Sequence, residues 1–285
     1  MLTRKVLSNI KLLAKMSYYL LKISLRYPIN FVADFVELAL WIMVFYLPIL
    51  LFLPKSGDFA GVSPALFTLW GFFIYLFISD TIWTIAGGLR YDQITGILEQ
   101  NFLTPINEFL YPLARLIRIF IRDFPIMLTF PIIFWVVTGE FLAKNIPLAL
   151  YILAISIIGF IGFGYLYAGF VISMKRSAMS ANVIQFIVMI FSAVFYPFRS
   201  LPESMLVISK LLPFSYYIDL FRTTMIGIEP ELIEKELIIG NIILTPFWTE
   251  LIIIHVLSII FLVIGLLTYK VMVMRAKKLG TLHMY

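Results

Sequence analysis

The 285 residues include no cysteine. Disulfides, thiolate metal sites and a cysteine nucleophile are thereby excluded. Histidine is almost as scarce, and His255 and His283 are too few and too far apart for a metal cluster. Charge is thin: 13% of residues are Asp, Glu, Lys or Arg, against 62% hydrophobic. A soluble domain is about a quarter charged and about half apolar, so this balance excludes one and places the chain in a bilayer. The run G-x-x-x-x-G-K-[ST] is missing, and so are H-E-x-x-H and G-x-S-x-G. The chain therefore spells out neither a nucleotide cradle nor a hydrolytic centre. "GFGYLYAG" (Gly162 to Gly169) falls in a charge-free run, where small residues let helices approach closely. The net charge is +6. In so apolar a chain, surplus base marks cytoplasmic loops and lipid headgroups, not a nucleic-acid partner.

What is present is a series of apolar runs, each near the roughly 20 residues needed to cross the hydrocarbon. They predict an all-α integral membrane protein with six transmembrane helices, at about 30–53, 62–88, 110–139, 146–173, 178–198 and 248–272. Base content sets the orientation. With both termini cytoplasmic, the inner segments hold sixteen of the 22 Lys and Arg: six in 1–28, four in 88–123, two in 174–180 and four from 270 onward. That bias satisfies the positive-inside rule and orients a multi-pass protein with both termini inside; a prokaryotic plasma membrane is the expected location. No cleavable signal peptide is expected, since the basic opening lacks a compact apolar core.

Within 1–28, Arg4, Lys11, Lys15, Lys22 and Arg26 recur at intervals of 7, 4, 7 and 4. At about 100° per residue they form one narrow stripe, which predicts an amphipathic helix lying in the lipid interface. Intramembrane acids are costly and are functional candidates by default. Asp34, Glu37 and Asp80 are of this kind, and Arg115, Arg118 and Arg122 share one helix face at a similar depth. The six are expected to form a buried charge cluster tying the first three spans together. Proton or ion coupling through Glu37 and Asp80, as in a secondary transporter or channel, is the alternative. The segment 199–240 is too apolar for a free loop and too interrupted to span. Pro202 and Pro213 are each placed to open a short helix. A re-entrant pair is expected there, with Phe195, Tyr196, Phe198, Tyr216, Tyr217 and Phe221 as an aromatic collar: an interfacial belt, or a gate on a substrate path.

"RYDQITGILEQNFLTP" (Arg90 to Pro105) is a polar interruption between two of the most apolar runs. In it, "TGILEQNFLTP" resembles the coupling-helix pattern of the permease subunit of type-2 ABC exporters. "FYPFRSLPESMLVISKLLPFSYYIDLFR" (Phe195 to Arg222) resembles the same family's second signature: a Pro before the loop, Leu-Pro, then Pro, aromatics and a final Arg. The order of parts is similar throughout. The resemblance implies export of an amphipathic substrate such as a drug, lipid or lipid-linked glycan, by two permease copies above two ATPase subunits. The chain would carry no cofactor of its own, with ATP and magnesium held in the partner. A coupling helix over about 92–102 would take the mechanical push, with Asp92, Thr95, Gly96, Glu99 and Gln100 at the ATPase. Ile94, Ile97, Leu98 and Phe102 would pack inward.

Overall fold

The computed structural model describes residues 2–27, 29, 32–33, 35–37, 40, 44, 62–104, 107–139, 143–174, 176–233, 236–239 and 242–280. Most of the first expected span, 30–53, lies outside the described residues, and so does Asp34. The protein is all-α apart from one short hairpin.

Among the described residues, four helices are long and apolar enough to cross a membrane. The first of them, α2 (Pro64–Trp83), starts at an extended Ser63 whose Oγ accepts the Leu66 N–H at 3.3 Å, with Pro64 following as a ready-made first residue. It is apolar all round and buried along most of its length, as befits a core helix. It runs without a break into a π-helical turn (Thr84–Leu89) and then α3 (Arg90–Ile94). After α4 (Ile97–Leu103) come α5 (Leu110–Thr138), which accommodates Pro125 and Pro131, and α6 (Ile146–Ser173). α6 begins at Asn145, whose Oδ1 accepts the Leu148 N–H at 3.2 Å. The last, α10 (Pro246–Leu279), is about 51 Å long at 1.5 Å per residue. Its end, with Lys277 and Lys278 in the final turn, extends past any hydrocarbon slab of about 30 Å.

α6 and α10 pack along much of their length because glycine removes the side chains between them. A Cβ on Gly162 would strike the backbone of Phe261 and Leu262, and one on Gly265 would strike the Gly162 carbonyl. The "GFGYLYAG" run is thus a helix-packing surface. α2 sits at the centre, touching α5, α6, α7 (Ser177–Phe191) and α9 (Pro213–Ile226).

Three departures from expectation follow from length and geometry. α7 has only 15 residues, about 22 Å, and ends in a tight turn where Ala193 takes φ +48°. It is therefore a shorter helix than the expected span over 178–198. The segment before α10 begins with α8 (Glu203–Leu211) and α9, bent by 95° where Pro213 starts a new helix. It then forms a hairpin, β1 (Leu237–Ile239) with β2 (Ile242–Leu244), pairing Leu237 with Leu244 and Ile239 with Ile242. The hairpin was not expected. Gly-Asn between two aliphatic triplets is its sequence signal.

α1 (Leu2–Leu25) is a single helix packed against α5. Lys11, Lys15, Lys22 and Arg26 are exposed, while Met16 packs against the core and Ser17 is buried.

Candidate functional site

Three groups of polar side chains stand out along the molecule. The first holds the α3–α4 segment. The π turn shifts the register of the residues after it and turns Asp92 toward α5. Asp92 Oδ2 accepts from the Tyr111 hydroxyl and from the Arg115 guanidinium. Arg115 also donates from Nη2 to the Tyr111 hydroxyl at 2.9 Å and lies over that ring. Gly88 makes this possible, because a Cβ there would collide with the guanidinium. Gln93 Nε2 donates to the Ile172 carbonyl near the end of α6 (2.9 Å), and Ser177 Oγ donates to the Ala86 carbonyl inside the π turn (2.8 Å). Lys277, at the end of α10, lies 5.0 Å from the centre of the Phe102 ring and pairs with Glu108 at 2.6 Å. Residues 92–102 are thus tied to α5, α6 and α10 at once.

The expected single helix over 92–102 is in fact two. Thr95 closes α3, its Oγ1 donating back to the Tyr91 carbonyl at 2.8 Å. Gly96 follows in the left-handed region, φ +73°, and α4 begins there. Asp92 is 2% exposed, so it anchors the segment from within and does not present itself to a partner. Glu99 and Gln100 are exposed, as is Thr95. Of the four apolar residues expected to pack inward, Leu98 is fully buried and Phe102 half-buried. Ile94 and Ile97 are 52% and 40% exposed. Together with Tyr91 (64%) and Leu103 (80%), these two, expected to pack inward, instead add to the exposed apolar side chains of the segment.

The second group surrounds a cavity of about 240 Å³ between α2, α5 and α7. Glu37, Asp80, Arg122, Asp123 and Gln185 line it, with Tyr75 and Trp83. Gln185 is fixed at both ends: its Oε1 accepts from Trp83 Nε1 at 2.8 Å and its Nε2 donates to Ser79 Oγ at 2.9 Å. Glu37 and Asp80 therefore line one cavity. Arg115 pairs with Asp92, and Arg122 with Asp123 of its own helix at 3.5 Å. Asp80 has no ion pair among the described residues. Asp123, not among the expected cluster residues, joins the group. Arg118 is half-buried on the same helix.

The third group lies at the α8–α9 end. The aromatic residues expected as a collar are largely core: Phe198, Tyr216, Tyr217 and Phe221 are buried, and Phe195 and Tyr196 are half-buried. Phe221 stacks on Phe73 with centroids 5.5 Å apart and meets Trp70 edge-on. The Tyr217 hydroxyl bonds Ser258 Oγ at 2.8 Å. Arg222 is fully buried, donating from Nη2 to the carbonyls of Ala193 (2.7 Å) and Val194 (3.0 Å) and lying 4.1 Å from the Phe67 ring centre. It holds the turn after α7 against α2 and α9. Asp219, Glu231 and Glu250 gather beside it and were not foreseen. A carboxylate amid the aromatics of "PFSYYIDLF" and another in the opening turns of the last span were the signals available. His255 bonds the Tyr151 hydroxyl at 2.6 Å, a helix-to-helix contact. Among the described residues, no group of three or more His, Cys, Asp or Glu is placed to hold a metal. Compared with known proteins, the chain matches no family model and no curated sequence.

Proposed function

We propose that the chain is the transmembrane subunit of an ATP-driven exporter, working as a pair of copies in the plasma membrane with two separate ATPase subunits on the cytoplasmic side. One observation carries the reading. α3 and α4 form a short element with an apolar outer surface of Tyr91, Ile94, Ile97 and Leu103 beside Glu99 and Gln100, while its inner face is tied to three long helices. A lone loop helix has no use for exposed apolar side chains next to polar ones, whereas a helix seated in a partner's cleft does. A push on that element would pass through Asp92 to α5, through Gln93 to α6 and through Phe102 to α10. ATP and magnesium would be held by the partner, and six spans with both termini inside remain the topology that the charge distribution favours. The amphipathic cargo would leave past the half-buried Phe195 and Tyr196.

Glu99→Lys tests this reading. Glu99 is exposed, so its reversal should leave folding intact and act at the partner contact, where a misplaced charge costs several kcal/mol. The variant should reach the membrane at wild-type level and fail to couple ATP hydrolysis to export in reconstituted vesicles. Wild-type coupling in Glu99→Lys and in Ile94→Asp alike would sink the proposal.

A second reading rests on the cavity. Asp80, lacking an ion pair among the described residues and facing Glu37 and Asp123, is where a secondary transporter or channel would hold a cation. Asp80→Asn separates the two. ATP-dependent export that persists favours the exporter, and loss of a gradient-dependent flux favours the alternative.

A further inference from the structure

The chain after Gly227 runs back across α9 and α10, and carboxylates hold three of its consecutive backbone amides. Asp219 Oδ2 accepts the N–H groups of Glu231 and Leu232, each at 2.8 Å. Glu250 Oε1 accepts the Ile233 N–H at 3.1 Å. The Glu231 side chain reaches the other way, Oε2 accepting the Phe198 N–H at 2.7 Å while Arg199 lies 3.7 Å from Oε1. Residues 231–233 are thus a strap fastened to α9, to α10 and to the turn before α8.

One oxygen of each fastening carboxyl is left over. Asp219 Oδ1 and Glu250 Oε2 are both buried and have no donor among the described residues, and the two carboxyl groups sit side by side on the consecutive amides of Leu232 and Ile233. Both residues are 0% exposed. Ionised carboxylates offer only acceptors, so two of them side by side repel. They attract only when one carries a proton and donates it to the other. Charge balance leads to the same conclusion. Arg222 is the one cation beside the pair on α9, and Arg199 answers Glu231. With one shared proton the pair carries a single negative charge, matched by Arg222. Without it, an uncompensated charge is buried among aromatic rings, which is strongly unfavourable. Among the described residues, the other polar groups nearby supply no second cation to the pair: Tyr216 donates to the Lys210 carbonyl, Lys144 lies over Gly227, and His255 is bonded to Tyr151 and to the Leu251 carbonyl. α2 and α6 turn Phe67, Trp70, Phe73 and Phe160 toward α9, and α7 contributes Ser192.

We infer that Asp219 and Glu250 form a buried proton-binding site, holding one proton between Asp219 Oδ1 and Glu250 Oε2, and that this proton latches the 231–233 strap onto α9 and α10. The proton comes from water and returns to it, and no other group changes state. The latch is closed at low pH and opens as pH rises through the loss of that proton, because the two carboxylates then repel across the strap's anchor. The inference does not depend on the exporter reading.

The absence of native cysteine makes the test direct. Leu232 is 1% exposed and exposed Glu229 lies just outside the strap, so Leu232→Cys is the reporter and Glu229→Cys the reference for the intrinsic pH dependence of thiol labelling. The ratio of their labelling rates, in the purified full chain, should rise about tenfold or more from acid to alkaline pH, as fits the loss of hydrogen bonds to charged groups. In a Glu250→Gln background the amide supplies a permanent hydrogen to Asp219 Oδ1, and the ratio should stay low and flat. Asp219→Asn, the second variant, should behave alike. Infrared difference spectra should show one protonated-carboxyl band in the wild type that is missing from both variants. A flat ratio in the wild-type background, or a rise that persists unchanged in both amide variants, would overturn the inference.

Discussion

At the scale of the residue, Asp92 shows how one side chain fixes a functional segment from behind. Its carboxylate meets Arg115 and Tyr111 in a site where the two charged side chains are 3% and 13% exposed. Removing one partner of such a pair leaves the other charge stranded, at a cost of about 3–5 kcal/mol. Asp92→Ala should therefore lower the thermal unfolding midpoint and the yield of folded protein. Adding Arg115→Met to it should restore most of the loss, since replacing a buried pair by apolar groups is often near neutral. A loss under about 1 kcal/mol in the single variant would mean the pair is effectively solvated. Gly96 is the other residue on which the segment turns. At φ +73° a β-branched side chain meets the carbonyl that follows it, so Gly96→Val should cost about 1–2 kcal/mol, while Gly96→Asn should be milder. Circular dichroism melts of the two variants check the order. That Asp92 points inward was not legible in the sequence. "RYDQITGILEQ" shows a polar run, and only the π turn upstream decides which way its first acid faces.

At the scale of the element, the long helices were legible because their residues have no alternative in lipid: an apolar run must satisfy its own backbone, and a helix does so alone. The boundaries of α6 and α10 follow from Asn145, Pro246 and the charged tail. The failures have a common cause, namely that tertiary contacts set the geometry. The turn that follows α7 is held by Arg222, some thirty residues away in the chain, which donates to the Ala193 and Val194 carbonyls. Nothing within 177–198 announces this. The packing of α6 on α10 allows a contrast between glycines. Gly162→Leu puts side-chain atoms where the α10 backbone lies, and should cost roughly 1–3 kcal/mol or more and force the helices apart. Gly87→Ala meets nothing within 4 Å and should be neutral or stabilising by up to about 1 kcal/mol. Equal losses in the two would show that α6 and α10 do not meet backbone to backbone at Gly162. Unfolding midpoints in one detergent decide it.

At the scale of the whole molecule, α6 is the measuring rod. Its 28 residues span about 42 Å, against about 30 Å of hydrocarbon, so groups fixed to its two ends must emerge on opposite sides of a bilayer it crosses. Gln93 bonds the Ile172 carbonyl near one end, which places the α3–α4 segment and Glu99 there. At the other end Lys144 N–H donates to the Met225 carbonyl at 2.9 Å, and Lys144 shares a surface cavity with Glu229. If α6 crosses the bilayer, packing alone puts Glu99 and Glu229 on different faces, without appeal to charge. The count of bases says which face is which. Sixteen of 22 Lys and Arg accompany the Glu99 side if the termini are cytoplasmic, and a bias of that size orients polytopic proteins. Both residues are exposed and the chain has no native cysteine, so Glu99→Cys and Glu229→Cys each give a single reactive thiol with little disturbance. In intact cells an impermeant maleimide should label residue 229 and leave residue 99 untouched, and in inverted vesicles the pattern should reverse. Labelling of both from one side would show that α6 does not cross the bilayer, and the exporter reading would fall with it. Labelling of 99 alone from outside would keep the packing and invert the orientation, leaving α3–α4 beyond the reach of any cytoplasmic ATPase.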